Sequence, residues 1–150
     1  MKKEHKLYNV LFPVWMLLFF PIGWLIVIPG NFLIDSAVLI FAMKALKLTD
    51  KKSFYKKNIL KVYLFGFLSD IIAAGAMFLM TYYLGLGGNM ADGPTLTIPG
   101  VVIAAALIFI FNYFISFKKT DKSIRLKLAL TFAIATAPYT FLIPTSWIIH

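Results

Sequence analysis

Residues 7–43 read LYNVLFPVWMLLFFPIGWLIVIPGNFLIDSAVLIFAM, and the only charged residue in this stretch is Asp35. As one straight helix the stretch would be about 55 Å long, whereas the hydrocarbon core of a bilayer is about 30 Å thick. Pro29-Gly30 near its middle is typical of a turn, and Asn31 could cap a helix that follows it. The stretch therefore predicts a hairpin of two membrane helices.

The composition of the chain points to the same class of protein. Hydrophobic residues make up 61% of the 150 residues, against about 45–50% in typical soluble domains. Charged residues make up only 14%, and they are gathered between the apolar stretches. The sequence therefore predicts an all-α integral membrane protein that forms a single multi-pass domain over residues 1–150.

Five apolar segments are long enough to be transmembrane helices. We expect a bundle of five helices, over residues 7–28, 31–48, 59–84, 98–117 and 126–149. Pro138 and Pro144 interrupt the fifth segment. The alternative is therefore a bundle of four crossing helices in which the fifth segment is only half inserted.

The basic residues predict the orientation. All fifteen lie in three clusters: three in residues 1–6, seven from Lys44 to Lys61, and five from Lys118 to Lys127. Five crossings would place all three clusters on one face, which the positive-inside rule assigns to the cytoplasm. We therefore expect a cytoplasmic N-terminus and an external C-terminus. Lysine greatly outnumbers arginine, a usage typical of AT-rich bacterial genomes, so we expect the cell membrane of a bacterium.

Small residues indicate where the helices pack against one another, since they let backbones approach closely in lipid. Gly100 and Ala104 have a four-residue spacing in the fourth segment, and Ala129, Ala133 and Ala137 repeat it in the fifth. In the third segment one face carries mostly small side chains together with one acid, and we expect this face to look inward. Its residues are Gly66, Ser69, Asp70, Ala73 and Met77.

The expected partners are membrane components. Basic residues beside membrane helices attract anionic lipid headgroups, whereas no pattern typical of nucleic-acid binding accompanies them. Five short helices enclose little interior, so a homo-oligomer or a membrane-protein partner is also expected. The candidate contacts for anionic lipid are Lys51, Lys52, Lys56, Lys57, Lys118 and Lys119.

Asp35 and Asp70 are the only acids inside the predicted helices. Each costs about 2.5–3.5 kcal/mol at the centre of a membrane helix. No Lys, Arg or His lies at hydrocarbon depth to pair with them, so each must stay protonated, accept hydrogen bonds or hold a cation. The candidate proton- or cation-binding residues are Asp35, Asp70, Asn31, Ser36, Ser69 and Asn112.

Two functions fit these residues. The first is a small transporter, or a transporter subunit, that uses the intramembrane carboxyl groups. The second is a non-catalytic membrane assembly or lipid-organising protein in which the same acids fix the helix register. No catalytic motif is present, the two histidines stand at positions 5 and 150, and cysteine is absent. We therefore expect no enzyme activity, no metal site and no cofactor.

Overall fold

The computed structural model describes residue 19, residues 21–85 and residues 94–143. Over these ranges the chain is all-α and contains no strand. Three of its helices are long and apolar enough to cross a membrane: Pro21–Ala45, Lys51–Leu84 and the stretch Thr95–Ser116. The elements are α1 (Pro21–Ala45), α2 (Lys51–Leu84), α3 (Pro94–Phe111), a π-helical turn (Asn112–Ser116), α4 (Lys122–Ala135) and a 3-10 turn (Tyr139–Leu142).

Helix α1 runs without a break through Pro29, so the predicted hairpin turn at Pro29-Gly30-Asn31 is wrong. The boundary between the predicted helices 7–28 and 31–48 is wrong with it, because residues 21–45 form one helix. A proline removes one backbone hydrogen bond but does not have to end a membrane helix. Of the predicted first helix, residues 7–18 and 20 lie outside the described residues.

Helix α2 confirms the predicted third segment and extends it backwards. The predicted start was residue 59, but the helix begins at Lys51, so the basic stretch forms its first turns. Asp50 caps this end, since its side chain accepts a hydrogen bond from the backbone N–H of Ser53 at 3.4 Å. At the other end Gly85 adopts a left-handed conformation, with φ +64°, that favours glycine after a helix.

The predicted helix over residues 126–149 is wrong over residues 136–143. Helix α4 ends at Ala135 and is followed by the short 3-10 turn Tyr139–Leu142. Pro138 lacks the backbone N–H that a continuing helix would need. The 14 residues of α4 span about 21 Å, which is less than the thickness of the hydrocarbon core. Residues 144–149 lie outside the described part.

The two described basic clusters lie toward the same end of the bundle. Phe54, near the start of α2, stacks on Phe117, which follows the π-helical turn, with ring centroids 6.0 Å apart and 4° between the ring planes. This contact places the connections 46–50 and 117–121 side by side, and we call this end the basic end. The N-terminal cluster of Lys2, Lys3 and Lys6 lies outside the described residues.

The small-residue faces are buried, as predicted. Ala104, Ala129, Ala133 and Ala137 are at most 8% exposed, and the predicted inward face of α2 is buried throughout. Gly100 of α3 lies against the side chain of Met77 on α2, because a Cβ atom built on Gly100 would lie only 2.1 Å from Sδ of Met77. A side chain at position 100 would therefore require Met77 or one of the two helices to shift.

Candidate functional site

A cavity of about 440 Å³ lies between α1, α2 and the chain that follows α4. We call it the acidic cavity, because Asp35 and Asp70 both line it. Its other walls are mostly apolar, and they include the chain segment from Ala135 to Phe141. The two acids that the sequence singled out therefore share one cavity.

Asp35 of α1 lies against Gly66 of α2. Asp35 is 4% exposed, and a Cβ atom built on Gly66 would lie 3.4 Å from its Oδ2 atom. Asp70 follows Gly66 by four residues and therefore projects from the same face of α2. The acid of α1 therefore lies beside the face of α2 that carries Asp70.

Asn31 links the two helices. It precedes Asp35 by four residues on α1, and its Nδ2 atom donates a hydrogen bond to Oδ2 of Asp70 at 3.4 Å. The second oxygen of Asp70, Oδ1, is buried and has no hydrogen-bond partner among the described residues. No lysine, arginine or histidine is among the described residues that line the cavity. The carboxyl group of Asp70 is therefore only half paired within this part of the chain.

The remaining predicted site residues do not line the acidic cavity. The hydroxyl of Ser36 hydrogen-bonds with that of Tyr55 at 2.9 Å, and the hydroxyl of Ser69 donates to the backbone oxygen of Phe65 at 2.7 Å. Asn112 is buried in the π-helical turn, and its side-chain nitrogen and oxygen have no partner within the described ranges. The structure thus brings together Asn31, Asp35 and Asp70 from the predicted set.

One wall of the cavity was missed in the sequence. Thr136, Tyr139 and Thr140 line it, although the sequence predicted a continuous helix there. The hydroxyl of Thr136 donates to the backbone oxygen of Phe132 at 2.8 Å, and that of Tyr139 donates to the backbone oxygen of Ile134. The sequence feature that could have predicted this wall is the run Thr136-Ala-Pro-Tyr-Thr140, in which hydroxyl residues surround a proline that ends the helix.

The candidate lipid contacts form a separate surface. Lys51, Lys52, Lys56 and Lys57 are exposed at the start of α2, and Lys118 and Lys119 are exposed in the connection before α4. All six lie near the basic end, whereas Asp70 is 19 residues along α2 from Lys51, which is about 28 Å in a helix. The basic surface and the acidic cavity are therefore distinct.

The cavity offers two carboxyl groups and one amide group in mostly apolar surroundings. Such groups can bind a proton or a cation, since an ionised carboxylate in a low-dielectric site is stabilised by either. No family model, curated protein or solved structure matches this chain. Its function is therefore inferred from its own residues.

Proposed function

We propose that this chain is a small membrane transporter, or a subunit of one, that binds protons or cations at Asp35 and Asp70. The observation that carries the proposal is that both acids line one cavity. Acids inside membrane helices are costly, and those that persist commonly mark an ion or proton pathway. A cavity beside them supplies the space that a transported ion or molecule needs.

The pairing of the two acids favours a binding role. Both carboxyl groups line the same mostly apolar cavity, and two negative charges at such a site repel each other. A bound proton or cation removes that repulsion. Oδ1 of Asp70 is buried and has no hydrogen-bond partner in the described part of the chain, so a proton held by the pair would reduce the cost of leaving this oxygen unpaired. The two acids would then act as one site that exchanges a proton for another cation.

The experiment measures proton flux in proteoliposomes that hold a pH gradient. Purified protein is reconstituted, and a panel of cations (sodium, potassium and several organic ammonium ions) is added outside. We expect at least one cation to dissipate the gradient through the wild-type protein. The Asp35→Asn/Asp70→Asn double variant should behave like empty liposomes, because neither residue can then release a proton. Equal flux through the wild-type and the double variant would exclude the proposal.

We place the protein in the plasma membrane of a bacterium, with α1, α2 and α3 as crossing helices and the basic end in the cytoplasm. This placement follows the positive-inside rule, and it is supported by the position of both described basic clusters near one end. In this orientation the six exposed lysines contact anionic headgroups, each contributing about 1 kcal/mol near the surface. The N-terminus and C-terminus lie outside the described residues.

The orientation is testable by cysteine labelling, since the chain has no native cysteine. We expect Tyr83→Cys, near the end of α2 away from the basic end, to react with a membrane-impermeant maleimide added to intact cells. Lys119→Cys should react only after the cells are permeabilised. Tyr83 is 77% exposed and Lys119 is also exposed, so burial within the protein does not explain a difference. The reverse labelling pattern would contradict the proposed orientation.

The alternative function is a non-catalytic membrane assembly in which the acids have a structural role. The hydrogen bond from Asn31 to Asp70 favours it, since this bond joins α1 to α2. The exposure of α1 also fits a homo-oligomer or a membrane-protein partner, because only five of its 25 residues are buried. The two functions differ in what they require of Asp70: transport needs an ionisable group, whereas helix packing needs only a hydrogen-bond acceptor.

A further inference from the structure

The acidic cavity is larger than a proton site needs to be. Its volume of about 440 Å³ falls within the range of about 300–1,000 Å³ that is typical of pockets for small organic molecules. Gly30 contributes to this space, because it lines the cavity and a Cβ atom built on it would meet nothing within 4 Å. An occupant of organic size therefore fits the site.

The described residues contain no group of three or more His, Cys, Asp or Glu side chains that could hold a metal ion. Calcium takes about six to eight oxygen ligands and magnesium about six. The groups best able to bind a cation are the carboxyl groups of Asp35 and Asp70 and the amide oxygen of Asn31. These groups can bind the single positive charge of a molecule that has few other polar groups.

The remaining walls suit an apolar body. Ile26 and Ile34 of α1 line one side, and Phe141 and Tyr139 supply aromatic rings on the other. Aliphatic side chains favour contact with apolar groups, and aromatic rings also attract organic cations through their π faces. Because no basic residue is among the lining residues that the structure describes, an anionic ligand would find no counter-charge there.

From these features we propose that the acidic cavity binds a hydrophobic organic cation, such as a quaternary ammonium or phosphonium ion. The charge lies against Asp70 and Asp35, and the apolar body fills the space beside Gly30. The inference rests on the proposed function, since it names the class of cation that competes with protons for the same two acids. Binding of the cation would then release a proton from the pair.

The test measures equilibrium binding of two ions of the same shape and opposite charge, tetraphenylphosphonium and tetraphenylborate, to the purified protein in detergent. We expect saturable binding of tetraphenylphosphonium and none of tetraphenylborate. Asp70→Asn should weaken tetraphenylphosphonium binding by about tenfold or more, because it removes a charge that faces the ligand. Gly30→Leu should weaken it to a similar extent, since the leucine side chain occupies the cavity.

Gly75→Leu is the matched control, because Gly75 lies on α2 with nothing within 4 Å of a built Cβ atom and does not line the cavity. It should bind tetraphenylphosphonium like the wild type. Proton flux driven by sodium or potassium, without saturable tetraphenylphosphonium binding, would overturn this inference and leave the proposed transport function standing. Binding that depends on Asp70, without any proton flux, would support the inference and overturn the transport proposal. Absence of both would overturn both.

Discussion

Replacing Asp70 by asparagine is expected to leave the protein folded and to reduce proton-linked flux by about 30-fold or more, the factor that corresponds to about 2 kcal/mol. Asparagine has almost the same shape as aspartic acid and keeps an oxygen that can accept the hydrogen bond from Asn31. It cannot release a proton, and it carries no charge to attract a cation. The measurement is the initial rate of gradient dissipation in proteoliposomes, at matched protein content.

Asp70→Leu is the comparison variant that shows whether a loss of flux comes from the missing ionisable group or from a less stable fold. Leucine leaves the amide group of Asn31 without its acceptor on α2, which costs about 1–3 kcal/mol when the group is buried. Because Asn31 is only partly buried, we expect the low end of this range. The thermal unfolding midpoint in detergent should therefore fall for Asp70→Leu but hardly for Asp70→Asn. If Asp70→Asn retains full flux, Asp70 is not the ionisable group that transport requires, and its role is the structural one of accepting the hydrogen bond from Asn31.

The largest effect on stability is expected at Gly100. In Gly100→Ala the new Cβ atom would lie 2.1 Å from Sδ of Met77 and 2.7 Å from its Cγ, so one of the two helices or the methionine must move. Met77 is fully buried among the residues that surround it, and overpacking of this kind costs about 1–3 kcal/mol. We expect Gly100→Ala to lower the unfolding midpoint clearly, and Gly100→Leu to prevent recovery of monodisperse protein.

Gly75→Ala provides the control for helix propensity. Alanine stabilises a helix interior by about 1 kcal/mol relative to glycine, and nothing lies within 4 Å of the added methyl group, so this variant should unfold no earlier than the wild type. The combination Gly100→Ala/Met77→Ala should be more stable than the sum of the single changes predicts, because the smaller side chain makes room for the methyl group. Additive losses would show that the contact between Gly100 and Met77 is not the cause.

Much of the fold was predictable because its signals are local. The length of an apolar stretch and the spacing of small residues depend only on helix geometry. From them the all-α class, the central parts of α2 and α3 and the buried helix faces were predicted. Pro29 could not be interpreted locally. The local sequence Pro-Gly-Asn favours a turn in any protein. Here Asn31 stays in the helix and bonds to Asp70, which lies 39 residues further along the chain on α2, and no local pattern reveals that partner.

The candidate site was predictable in part for a similar reason. Residues four apart share a helix face, which correctly groups Asn31 with Asp35. Neighbouring residues differ by about 100° around the helix, and the hydroxyls of Ser36 and Ser69 bond to Tyr55 and to the backbone oxygen of Phe65 without lining the cavity. Asn112 lies on a different helical segment from both acids, and only the packing of that segment decides whether it meets them. The wall formed by Thr136 to Phe141 required knowledge of where α4 ends.

The early end of α4 has an electrical consequence. The aligned peptide groups of a helix leave about half a negative charge at its last turn, and Ala135, the final residue of α4, lines the acidic cavity. This contribution belongs to the backbone and cannot be titrated. The last turn of α4 therefore adds a weak negative potential on this side of the cavity, reduced by the hydroxyls of Thr136 and Tyr139 that donate to its carbonyl oxygens.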